Sequence, residues 1–144
     1  QKFIFILIII ANIKNYVYSN DLSSFIHFIG WRFDIRDIYQ ASDIYVSTSY
    51  SESFPDAVRE AMLASLPVIV TDVGGTRELV EIGENGYLFE PGDISKLEYF
   101  LRRLIKNKAT RTKMGSISKS IIDKKFSTKV YASDFEKMIE GMTS

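Results

Sequence analysis

The sequence predicts an α/β fold: a parallel sheet with helices packed on both faces. Two observations carry that prediction. Short runs of β-branched and aromatic residues alternate with longer stretches whose apolar residues recur at helical spacing. The loops that follow the runs are rich in Ser, Thr, Gly and Asp, as expected where the carboxyl end of a strand hands over to a helix.

Residues 3–11 form an apolar run, Phe3-Ile4-Phe5-Ile6-Leu7-Ile8-Ile9-Ile10-Ala11. It is about half the roughly 20 residues that a membrane-spanning helix needs, and it lacks the small-residue cleavage pattern of a signal peptide. Its β-branched content predicts a strand buried on both faces. The chain opens almost directly on this strand and has no initiator methionine, as expected of a fragment. Residues 12–24 are polar and ambiguous. A second strand is predicted over residues 25–29, closed by Gly30, with His27 as an interior residue. A short helix is predicted from Asp34 to Ala41, with Asp34 able to cap it. Asp43 to Thr48 reads as a third strand, and Pro55 to Ser65 as a helix. Proline suits the first turn because its missing N–H has no partner there. Pro67 to Thr71 reads as the fourth strand, and Thr76 can cap a short helix reaching Ile82. Gly83 to Gly86 make a turn before a short strand over Tyr87 to Phe89. Ile94, Leu97, Phe100 and Leu104 mark a helix after Pro91-Gly92-Asp93, and residues 109–142 read as C-terminal helices.

Composition narrows the function classes. Eighteen basic residues balance eighteen acidic ones, which argues against broad attraction to nucleic-acid phosphates. The absence of cysteine removes disulfides, cysteine metal sites and a thiol nucleophile. The single histidine, His27, offers no pair for a metal. No G-x-G-x-x-G follows the first strand and no phosphate-binding G-x-x-x-x-G-K-[ST] is present, which disfavours an ordinary NAD site and a triphosphate loop. The basic segment Lys106 to Lys113, with Arg111, reads as a solvated helix face.

The loop Ser49-Tyr50-Ser51-Glu52-Ser53-Phe54-Pro55 enters a helix whose N-terminus presents unpaired N–H groups and a partial positive charge. That is a site for a phosphate or diphosphate. The N–H groups of Ser53 and Phe54 are its donors; Pro55 has none to give, and Ser49, Ser51 and Ser53 can add hydroxyls. Glu52 at the loop and Glu60 on the helix suit sugar hydroxyls, because a carboxylate accepts two hydrogen bonds from a vicinal diol. By spacing alone, Glu60 reads first as an exposed helix residue, and Glu52 as a favourable charge at a helix N-terminus. Gly74 and Gly75 permit close approach to a ligand, or simply make a turn. Trp31, after Gly30, can stack on a base or pack at the rim of the core.

The residues from Glu52 to Met62, Glu52-Ser53-Phe54-Pro55-Asp56-Ala57-Val58-Arg59-Glu60-Ala61-Met62, resemble the E-x7-E element of family 4 glycosyltransferases of the GT-B fold. Phe28-Ile29-Gly30, Tyr39-Gln40-Ala41-Ser42-Asp43, Ala64 to Ile69, Thr71 to Glu78, Asn85 to Phe89 and Pro91-Gly92-Asp93 fit the same family in the same order. The resemblance covers roughly residues 25–125, and the ordered set is far more specific than one motif. It implies a Rossmann-like domain, the C-terminal half of a GT-B fold, that binds a UDP-sugar or GDP-sugar and needs no metal or other cofactor. It assigns Glu60 to the ribose, Glu52 to the donor sugar as the catalytic-site carboxylate, the N–H groups of Ser53 and Phe54 to the diphosphate, and residues near Gly30 and Trp31 to the base. It further implies retaining transfer in surface polysaccharide or lipopolysaccharide synthesis. The full-length protein would then be cytoplasmic, peripherally associated with the inner membrane face, and would have no nucleic-acid partner.

Departures set limits on that expectation. The N-terminal acceptor domain of the family and its basic diphosphate-neutralising pair are absent from this sequence. Ala11-Asn12-Ile13-Lys14 stands where a glycine-rich turn is usual, and Ser65 where glycine is common. Transfer needs charge stabilisation on the leaving diphosphate, so the isolated chain is expected to have little or no transferase activity. A nucleotide-sugar 2-epimerase-like domain and a non-catalytic remnant remain the alternatives. A receiver-like domain is disfavoured, because the first strand ends in Ala11-Asn12 and the third in Ser47-Thr48 rather than in acidic residues.

Overall fold

A computed structural model describes residues 5–7, 13–53, 55–126 and 130, residues 5–7 by their backbone alone. Among these residues, four strands form one parallel sheet in sequence order: β1 (Phe5–Leu7), β2 (Ile44–Ser47), β3 (Val68–Thr71) and β4 (Gly86–Phe89). The register sets Ile44 beside Phe5, Tyr45 beside Val68 and Thr71 beside Phe89. Among the described residues, six named helices accompany the sheet: α1 (Ile13–Ser19), α2 (Ile35–Gln40), α3 (Asp56–Leu63), α4 (Thr76–Leu79), α5 (Ile94–Lys106) and α6 (Lys108–Lys125). Among the described residues, no helix is long and apolar enough to cross a membrane.

The strands read as continuous apolar runs because both faces are covered. Tyr45, Val68 and Val70 point into one apolar cluster with Tyr39 of α2, Val58, Ala61 and Met62 of α3, and Ile121 and Ile122 of α6. Ile44, Val46, Ile69, Tyr87 and Phe89 point the other way, against Leu104 of α5 and Met114 of α6. The period of two along each strand thus divides the core between two helical layers. The predicted Rossmann-like architecture with helices on both faces is the one observed.

Four local expectations are corrected. Residues 25–29 are not a strand: the N–H groups of Phe25 and Ile26 donate to the Leu22 carbonyl, and Phe25 is 81% exposed. Those turn bonds take the donors that a sheet ladder would have needed. His27, expected inside, is exposed for the same reason. Asp34 stands at the N-cap of α2 without capping it. Its carboxylate instead accepts from Arg32 at 2.7 and 2.5 Å, which holds its pKa below the ordinary value. Arg111 is not on a solvated face but buried, donating to the carbonyls of Leu104 and Ile105 and pairing with Asp43. The ambiguous stretch after residue 12 contains helix α1, whose Val17 is buried. The first strand and the C-terminal helices are seen only where residues are described; residues 3, 4 and 8–11, and most of 127–142, lie outside them.

Candidate functional site

Because β2 and β3 run parallel, the loops that follow them lie at the same edge of the sheet. The loop after β2 spans residues 48–55 and the loop after β3 spans residues 72–75. One hydrogen bond from the end of β3 and two close backbone approaches hold them together. The Thr71 hydroxyl donates to the Ser49 carbonyl at 2.6 Å. Gly74, at φ +50°, lies so close that a Cβ there would sit 1.6 Å from the Glu52 carbonyl oxygen. Gly75 faces the Pro55 ring and the Ser53 carbonyl. The close approach that this glycine pair permits is therefore to the neighbouring loop. Thr76 does not cap α4 but begins it. Its buried hydroxyl accepts from the Val73 N–H and shares its proton between the carbonyls of Thr71 and Val73, stiffening the second loop. Asp72 and Arg77 pair at the rim.

Glu52 is half-buried, and its Oε1 accepts from the Ser49 hydroxyl at 2.8 Å. The Ser47 hydroxyl lies 3.3 Å from that of Ser49. Ser49 therefore spends its proton on Glu52, not on a phosphate as its place in the loop suggested. Ser53 is exposed, Pro55 is buried at the N-cap of α3, and no side chain caps that helix. The N-terminal turn of α3 thus keeps its dipole end and N–H groups facing the loop. Phe54 lies outside the described residues.

Glu60, exposed on α3, lies within electrostatic reach of Tyr39 of α2. Burial pushes the Tyr39 hydroxyl up to about 12, and the nearby Glu60 carboxylate adds to the rise. Burial pushes Tyr45 up as well, helped by Tyr39 and by the Glu52 carboxylate. The two tyrosine rings meet edge-on with centroids 6.0 Å apart. The motif carboxylates therefore flank one buried tyrosine pair, with Glu60 against Tyr39 and Glu52 within electrostatic reach of Tyr45.

A cavity of about 370 Å³ lies over the exposed face of α3, between Glu60, Asp56 and Leu63 on one side and Asp123 and Phe126 of the α6 end on the other. A smaller one, about 80 Å³, reaches Ser53, Pro55 and Gly75. Arg59 and Phe126 line both. The Arg59 guanidinium lies 5.8 Å from the Phe126 ring centroid and pairs with Asp56 at 3.2 Å. Sequence reasoning missed Tyr39, Arg59, Asp123 and Phe126 as site neighbours. Only Arg59 carried a signal, its helical i,i+3 spacing from Asp56. Gly30, at φ +64°, and Trp31, 79% exposed and edge-on to Phe33, line neither cavity.

A parallel sheet with helices on both faces, its helix-entry loops gathered beyond the carboxyl ends of β2 and β3, is a Rossmann-like domain of the GT-B kind. The chain belongs to the glycosyl transferases group 1 family, whose pattern matches residues 11–120. It is 36% identical over 94 residues to an Escherichia coli UDP-Gal:alpha-D-GlcNAc-diphosphoundecaprenol alpha-1,3-galactosyltransferase, covering 65% of this chain and 24% of that enzyme. It is 29% identical over 109 residues to the N-acetyl-alpha-D-glucosaminyl L-malate synthase of Bacillus anthracis, covering 76% of this chain and 29% of that one. The chain thus spans roughly a quarter of the length of these curated relatives. Among solved structures it resembles HepE of Anabaena in complex with UDP, with a TM-score of 0.84 and 27% identity, covering 90% of this chain and 36% of that one.

Proposed function

We propose that this chain binds the nucleotide-sugar donor of a retaining glycosyltransferase. Glu60 takes the ribose hydroxyls, Glu52 faces the donor sugar, and backbone N–H groups at the start of α3 hold the diphosphate. The observation that carries the reading is the shared placement of Glu52 and Glu60 beside the uncapped N-terminus of α3, with a cavity against Glu60. The order along α3 is that of the ligand. The helix rises about 1.5 Å per residue, so Glu60 stands roughly 6 Å along the axis from Asp56, the first residue of α3, about one phosphate-to-ribose step away. The HepE complex with UDP favours a uridine donor.

In transfer, negative charge builds on the leaving diphosphate as the glycosidic bond to it breaks. The helix dipole and N–H donors stabilise that charge most where water is excluded. This chain, which spans roughly a quarter of the length of its curated relatives, supplies those donors, and by itself it binds donor and transfers little or nothing. The diphosphoundecaprenol-linked acceptor of the Escherichia coli relative supports a place for the whole protein in surface polysaccharide or lipopolysaccharide assembly at the inner membrane face.

The test is a titration of the chain with UDP, GDP and ADP by ligand-observed NMR, with Glu60→Ala as the control. Saturable binding of UDP near millimolar, about −4 kcal/mol, is expected, at least fivefold weaker in the folded Glu60→Ala chain. A folded chain that binds none of the three, or a Glu60→Ala chain that binds as well, overturns the reading.

A further inference from the structure

Beyond the two motif carboxylates, the loop itself carries a device that sets the direction of one of them. We propose that Ser49 is a positioning residue for Glu52, anchored by the end of the neighbouring strand, so that the Glu52 carboxylate is oriented before the donor sugar arrives. This rests on the donor reading above and deepens it.

A glutamate on a loop has three rotatable side-chain bonds, and fixing it on binding weakens the complex by the cost of ordering it. Glu52 is already ordered. Its carbonyl is pressed against the Cα of Gly74, and its Oε1 is held by the Ser49 hydroxyl at 2.8 Å. A carboxylate accepts through both oxygens, so holding Oε1 fixes the direction in which Oε2 meets a ligand hydroxyl. Ser49 is fixed in turn. Its carbonyl accepts from Thr71 at 2.6 Å, and Thr71 is buried in the last position of β3. Its hydroxyl also lies 3.3 Å from that of the buried Ser47, the last residue of β2. The carboxylate is therefore tied to two adjacent strand ends through Ser49, and not merely to its own loop.

A loop-closing bond between residues three apart is the competing explanation, and it makes a different prediction. Such a bond alters folding stability and leaves the choice between UDP and UDP-glucose untouched. A positioning bond acts on the sugar-bearing ligand.

The experiment compares wild type, Ser49→Ala and Ser49→Thr of this chain. Affinities for UDP and for UDP-glucose are measured by NMR titration, and Glu52 side-chain averaging by three-bond couplings without ligand. Ser49→Ala is expected to leave UDP affinity within about twofold. It should reduce the preference for UDP-glucose over UDP by up to about tenfold, the range expected for ordering one long side chain, and should release Glu52 into several rotamers. Ser49→Thr keeps the hydroxyl and restores both. Unchanged rotamer averaging, or an unchanged preference for UDP-glucose, in the Ser49→Ala chain overturns this proposal alone. A wild-type chain that binds neither nucleotide overturns the donor reading and this proposal together.

Discussion

At the scale of single residues, Ser65 shows how one backbone angle records a local conflict. It follows α3 with φ +63°, in the left-handed region that a side chain resists. The hydrogen bonds explain why it stays there. The Ser65 N–H donates to the Met62 carbonyl and the Leu66 N–H to the Ala61 carbonyl, the pair of bonds that closes a helix in a Schellman motif. Gly115 of α6 presses on the Ser65 carbonyl, where an added Cβ would lie 1.9 Å from the oxygen, so α6 holds the cap in place from outside. Strain of this kind persists where the surroundings over-determine it. Ser65→Gly removes a cost of about 1–2 kcal/mol but adds roughly 0.5–1 kcal/mol of unfolded-state freedom. The net expectation is a gain of about 0.5–1 kcal/mol, read as a higher urea midpoint with an unchanged slope. A midpoint that falls means that the Ser65 side chain contributes more than its backbone angle costs.

At the scale of elements, Arg111 ties the junction of α5 and α6 to the sheet. Asn107 ends α5 and caps α6, its side chain accepting from the Thr110 N–H at 2.9 Å. Arg111, one turn on, donates to the last carbonyls of α5 at 2.7 and 3.0 Å and reaches Asp43, just before β2, at 3.3 Å. The α5 terminus thereby gains partners for orphan carbonyls, and the helical pair is tied to the sheet. Arg111→Met keeps the apolar stem and removes those donors, and is expected to cost about 2–3 kcal/mol, measured by urea denaturation. A loss below about 0.5 kcal/mol, the range of an ordinary surface substitution, would show that water replaces the guanidinium. The sequence marked Arg111 only as one of several basic residues on a helix, because periodicity reports which side of a helix is apolar and not which long side chain folds inward. The same limit explains residues 25–29. An apolar run says where burial is favourable, but a strand also needs a free neighbouring edge, and the turn bonds to Leu22 remove that chance. The runs over β2, β3 and β4 were legible because four successive residues in each are apolar or small and turn residues close them.

At the scale of the whole molecule, the sheet places the candidate site directly above the core, so core and site share residues. The E-x7-E spacing marked Glu52 and Glu60 in the sequence as candidates. What lies beneath them was not, because Tyr39 and Tyr45 meet only when α2 packs on the face of β2. Tyr39 and Tyr45 belong to the same apolar cluster and are both held protonated by burial and nearby carboxylates. The consequence for stability follows from linkage. A tyrosine ionises near 10 in the unfolded chain, but Tyr39 does so only near 12 when folded. Below pH 10 it is neutral in both states, and its contribution is fully present. From pH 10 to about 12 the unfolded chain releases its proton first, so stability falls as pH rises through that window. Tyr45, pushed up in the same direction, extends the loss beyond it. Urea unfolding of wild type at pH 8, 10 and 11 should show this decline, and Tyr39→Phe should make it shallower, since phenylalanine has no proton to release. A decline of equal steepness in both proteins would place the alkaline sensitivity elsewhere, and would mean that Tyr39 is wetter in solution than its packing between α2, β2 and Glu60 implies.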